Sequence, residues 1–200
     1  MRRLALAGAV LLATMAALAA PARTTPALTP MQYTRTTLEQ VNGIMASGAT
    51  HNEKLADLSK VFNNFLDTDA MARAALGSHW AIFNPAQRVE FLKLFHVMIE
   101  RAYVQKLMLF ENPKFEYVGE IAMNAGARVD TKIVTPGDKF SVAYELRAEG
   151  DRWMATSITV EKVNLISNYA AQLNRLLSRS PVEDVLALMR RKYGGSGTVK

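Results

Sequence analysis

Three histidines, a pair of aspartates and the absence of cysteine set what chemistry this chain could perform. His51, His79 and His96 are the only imidazoles in 200 residues. None has a second candidate ligand at metal spacing, so the pattern predicts no metal site. Nucleophilic catalysis needs a base beside a Ser or Cys and a donor for the oxyanion. The chain has no nucleophile-elbow motif, no Cys and no Gly-rich phosphate loop after a strand. Asp67 and Asp69 lie two apart at a helix start, where a cap and a first-turn acid complement the helix dipole. His79-Trp80 reads as a structural turn with Trp80 in the core. No catalytic residue and no cofactor is expected from these groups.

The elements around them are better defined. Arg2 and Arg3 precede an unbroken apolar and small-residue run, Leu4 to Leu18, and then small residues suited to cleavage around Ala19 or Ala22. This predicts a signal peptide over residues 1–22, in preference to an uncleaved anchor. Removing Arg2 and Arg3 from the 24 basic residues leaves 22 against 18 acidic ones, a net charge of +4. No long basic run accompanies that charge, which argues against nucleic acid and fits a weak attraction to anionic surfaces. Half of the residues are hydrophobic, enough for one core without disulfides.

Residues 23–35 read as a flexible leader, 36–193 as a single domain and 194–200 as a flexible tail. Helices are expected over Thr36–Ala46, His51–Phe65 and Asp67–Leu76, the last closed by Gly77. Leu55, Leu58, Phe62 and Phe65 share one face of the second. Asn84-Pro85 with Gln87 opens a long helix running to about Phe110. From Lys114 the period changes to alternation, with about four antiparallel strands through Val160. Asn164 caps a further helix, and Ser180-Pro181-Val182-Glu183 reads as a capping box for the last. The expected fold is α+β: a curved antiparallel sheet cupped by N- and C-terminal helices around an apolar cavity.

Two blocks carry a family resemblance. The first is Met71-Ala72-Arg73, Ala75-Leu76-Gly77, Trp80, Pro85-Ala86-Gln87-Arg88, Phe91, Phe95 and Tyr103; the second runs from Trp153 through Leu165 to Asn168-Tyr169. Together they resemble the MlaC family of periplasmic phospholipid-binding proteins, also called the toluene-tolerance auxiliary family. The resemblance implies a lipid carrier that shuttles phospholipid between outer and inner membrane and maintains outer-membrane lipid asymmetry. Its implied partners are an inner-membrane ABC transporter with an MCE-domain protein and an outer-membrane lipoprotein–porin complex. The second block departs from the family pattern: Ser157 replaces a usual Asp, Lys162 a usual Gly and Asn164 a usual Ser. A hopanoid- or sterol-type carrier, as in the hopanoid-associated HpnM branch, is therefore an alternative.

Burying acyl chains yields roughly 0.8 kcal/mol per CH₂, so a carrier needs little more than an apolar hole. On facing direction, Phe91, Phe95, Met98, Phe140, Val142, Tyr144, Ile158 and Tyr169 are the expected lipid-binding lining. Two other readings stay open: a ketosteroid-isomerase-like enzyme with an acid or base in the cavity, and a binding module with a solid core.

Overall fold

The computed structural model describes residues 26–110 and 113–195. The signal-peptide segment, residues 23–25 of the leader and residues 196–200 of the expected tail lie outside the described residues. Helices α1 (Pro30–Ala46), α2 (His51–Phe65), α3 (Thr68–Leu76) and α4 (Pro85–Leu107) precede the strands. Strands β1 (Lys114–Met123), β2 (Gly126–Val134), β3 (Lys139–Glu149), β4 (Arg152–Val160) and β5 (Val163–Asn164) follow. Helices α5 (Leu165–Leu177) and α6 (Val182–Tyr193) complete the chain, and all neighbouring strands pair antiparallel in the order β1-β2-β3-β4-β5.

The α+β arrangement agrees with the expectation; several boundaries do not. Helix α1 begins at Pro30, six residues into the expected leader, because Thr29 and Gln32 form a capping box that the apolar pattern did not reveal. Glu120 on β1 reinforces this start by accepting from the Met31 N–H at 2.7 Å. Helix α4 stops at Leu107, and residues 108–110 turn away from it. Asn84 caps α4 as expected, its side chain accepting from the Gln87 N–H while Gln87 reaches back to the Asn84 N–H. The Ser180 box is absent: Pro181 is the cap residue, and Glu183 pairs with Arg190 instead of reaching back. The sheet has five strands, the fifth being two residues long and too short to leave a periodic signal.

Lys162 explains part of the second block. Glu161 and Lys162 form the two-residue turn between β4 and β5, with φ of 48° and 68°. Left-handed backbone costs a residue with a Cβ roughly 1–2 kcal/mol, which Gly avoids. Lys162 thus holds a left-handed conformation that Gly would adopt at lower cost. Asn164, just beyond, accepts from the Ser167 N–H at 2.9 Å and donates to Ser157 Oγ at 2.8 Å. Two of the three departures thus touch each other.

Two register shifts bend the sheet. One lies at Tyr117/Gly119 in β1 and one at Glu145/Leu146 opposite β4. Such bulges insert a residue, increase twist and reverse the alternation beyond them. They account for the adjacent buried pairs Met154-Ala155 and Ser157-Ile158 in β4 and for exposed Ile121 and Met123 in β1. Asp67 ties the helices to the sheet. Its side chain accepts from the Ala70 N–H at 2.9 Å and from Arg147 on β3, and its own N–H donates to Ala155 O at 2.9 Å.

Candidate functional site

The interior divides into a filled half and a hollow half. In the filled half, α3, α5, α6 and the N-terminal part of α4 pack on one another. Phe83, Phe91, Phe95 and Tyr169 form a continuous aromatic run there, with successive ring centroids 5.5, 5.6 and 5.9 Å apart. Phe91 and Phe95 are fully buried, and Met98 packs on the same cluster.

The hollow half lies between the inner sheet face and α1, α2 and the C-terminal part of α4. It encloses about 270 Å³. The sheet contributes Phe115, Ile133, Phe140, Val142, Tyr144 and Ile158. Facing them are Leu38 and Val41 of α1, Phe62 and Phe65 of α2, and Tyr103 and Leu107 of α4. Phe65 meets Tyr144 edge-on at 5.4 Å, Phe62 stacks on Tyr103 at 6.4 Å, and Phe110 contacts Phe140 at 5.7 Å. Each of these lining rings thus packs against another ring at the distances usual for aromatic pairs.

The wall holds almost no chemistry. Its polar groups are Thr37, the Tyr103 and Tyr144 hydroxyls, and exposed Lys106 at the rim. Burial pushes both tyrosine hydroxyls far above the ordinary phenol range, so both remain neutral O–H groups. Among the described residues no carboxylate and no imidazole lines the cavity. Two of the three histidines are engaged elsewhere, with His79 Nε2 2.8 Å from Asn174 Oδ1 and His96 bridging Thr68 and Glu100 at 3.0 and 3.3 Å, and His51 is exposed at the start of α2. Among the described residues no cluster could hold a metal ion. Trp80 is not in the core as expected. It is half-buried in a 3-10 turn, Gly77–Ile82, between the Arg73 and Arg88 guanidinium groups at 4.5 and 5.1 Å.

Four of the eight expected lining residues, Phe140, Val142, Tyr144 and Ile158, stand on this wall. Phe91, Phe95, Met98 and Tyr169 do not; they belong to the filled half, where α3, α5 and α6 supply the opposing side chains. Sequence reasoning missed Val61, Phe62, Phe65, Tyr103 and Phe115 as lining. The Leu55-Leu58-Phe62-Phe65 stripe on α2 was the available signal for two of them.

Comparison with known proteins bears on this architecture directly. The sequence model of the MlaC protein family matches residues 32–191. The chain belongs to the MlaC family. No curated protein matches it. Among solved structures, the MlaC-family fold seen here is shared by a phospholipid-binding protein from Ralstonia solanacearum, determined in complex with a phospholipid. The TM-score is 0.74 at 16% identity, covering 84% of this chain and 98% of that one. Among the described residues no helix is long and apolar enough to cross a membrane.

Proposed function

We propose that this MlaC-family protein is a periplasmic carrier that holds phospholipid acyl chains in the cavity between the sheet and α1, α2 and α4. The observation that carries this reading is the wall itself: hydrocarbon and aromatic rings, two neutral phenols and, among the described residues, no carboxylate or imidazole. Such a wall suits methylene burial at roughly 0.8 kcal/mol per CH₂. It counts against a ketosteroid-isomerase-like enzyme, which needs a carboxylate or imidazole among the lining residues. The Ralstonia relative of the same fold, bound to a phospholipid, supports the choice of ligand. The Arg2-Arg3 and Leu4–Leu18 pattern supports export by a cleaved signal peptide.

A lipid held this way leaves slowly into water, because every buried methylene must be rehydrated. Delivery therefore calls for protein partners at both membranes. In the reading proposed here these are an inner-membrane ABC transporter with an MCE-domain protein and an outer-membrane lipoprotein–porin complex, in service of outer-membrane lipid asymmetry. Native mass spectrometry of the exported protein tests the cargo. The expected spectrum shows the mature chain with one added mass matching a two-chain phospholipid. Reproducibly lipid-free protein that takes up no lipid from vesicles overturns the carrier reading. A hopanoid mass keeps the carrier and reassigns its cargo.

A further inference from the structure

The cavity has a polar neighbour. A second pocket of about 390 Å³ opens between α1, α2 and the start of β4, and it shares Thr37, Val61 and Phe65 with the apolar cavity. Phe65 is the partition. It stacks on Tyr33 at 6.3 Å on the polar side and meets Tyr144 at 5.4 Å on the apolar side. Beyond that partition the wall changes character to Thr36, Gln40, Asn64 and Arg152.

Arg152 is the only cation on this wall, half-buried and without an ion pair or side-chain hydrogen bond among the described residues. Its neighbour across the ladder is Glu149, but that carboxylate is held by Arg147 at 2.6 Å. Next to Arg152 the Trp153 side chain is held by donating its Nε1–H to Leu28 O at 2.9 Å, and Leu28 lines the same pocket. A half-buried guanidinium without a partner, in a pocket also lined by the exposed Thr36, Gln40 and Asn64 side chains, can donate to an oxyanion. Its planar fork matches a phosphate in a way that a point-charge ammonium does not.

Size points the same way. Small-molecule sites span about 300–1,000 Å³, so 270 Å³ alone is small for a ligand with two long chains. The polar pocket on the other side of the Phe65 ring is where the rest of such a ligand would lie once that ring swings aside. We propose that this pocket is the phosphate subsite of the bound lipid, with Arg152 as the principal phosphate ligand and Thr36, Gln40 and Asn64 as further donors. The assignment rests on the lipid-carrier reading. It makes the Arg152 end, not the Lys106 rim, the end at which the headgroup sits.

The test compares three ligands on delipidated protein: phosphatidylglycerol, diacylglycerol with the same chains, and glycerol phosphate without chains. Wild type is expected to hold phosphatidylglycerol about tenfold more tightly than diacylglycerol, the scale of one charge-assisted hydrogen-bonding group. Arg152→Gln should lose that preference while binding diacylglycerol unchanged, Arg152→Lys should recover part of it, and Lys106→Gln should keep it. Glycerol phosphate should compete only at far higher concentration. An intact preference in Arg152→Gln overturns the assignment and leaves the carrier standing, and so does its loss in Lys106→Gln. Glycerol phosphate binding as tightly as lipid would make this a free-phosphate site and also overturn the assignment. Failure of wild type to bind either diacyl lipid overturns the carrier reading and the subsite together.

Discussion

Phe91→Ala is expected to destabilise the protein by about 3–5 kcal/mol, while Phe140→Ala costs about 1 kcal/mol. Both are phenylalanines on apolar faces, and they differ in what stands opposite. Phe91 is fully buried between Phe83 and Phe95 and does not line the cavity. Truncation there opens a new hole that rigid helices cannot collapse around. Phe140 already faces empty space and braces mainly against Phe110 at 5.7 Å. Its removal enlarges a cavity that exists and forfeits little beyond that one contact. Urea unfolding midpoints measure both costs. Similar losses at the two positions would contradict the division into filled and hollow halves.

Tyr144→Glu is expected to abolish lipid retention and to make stability depend steeply on pH. Tyr144 sits at the centre of the wall, 8% exposed, edge-on to Phe65 and with no cation on the cavity wall nearer than the Lys106 rim. A carboxylate introduced there loses its hydration without gaining a partner, so its folded-state pKa rises above the ordinary value of about 4.3. The sign follows. Below that ordinary value the side chain is protonated in both states and the variant is at its most stable. Stability is then lost as pH rises through the raised folded-state pKa, and several kcal/mol can go before that loss levels off. Thermal melts at pH 4.5 and pH 8 should differ far more in the variant than in wild type. A variant that keeps its lipid and melts alike at both pH values would show that Tyr144 does not face the cavity.

Much of this architecture was legible because it depends on local rules. Asn84 with Gln87 and Asn164 with Ser167 are caps whose partners lie three residues away, so spacing alone identifies them. The alternation in β2 and β3 put Val129, Val142, Tyr144 and Leu146 on the inner face, where the structure has them. Asp67 as a cap was equally local. Boundaries failed where two signals competed: Thr29-Gln32 starts α1 inside a Pro/Thr-rich segment, and Pro181 displaces Ser180 as the cap of α6.

The lining was only half legible, for a reason of length. Helix α4 has 23 residues and is about 35 Å long. A single apolar stripe on it meets helices near Phe91 and Phe95 and meets the cavity only near Tyr103 and Leu107. Periodicity reports which way a side chain points but not what stands opposite at that height. The bulges in β1 and β4 erased the alternation for the same kind of reason, since an inserted residue is a feature of pairing and not of composition. Arg152 was invisible at that level because its significance lies in a missing partner.

The central claim is that acyl chains occupy the space between the sheet and α1, α2 and α4. Photo-crosslinking with a phospholipid carrying a diazirine near the middle of one chain tests it most directly, with adducts mapped by peptide mass spectrometry. Adducts are expected on Phe62, Tyr103, Phe140, Tyr144 and their neighbours on the wall, and none on Phe91 or Phe95. Adducts confined to exposed apolar residues such as Ile82, Val89 and Leu109, or no adducts at all, would contradict the account.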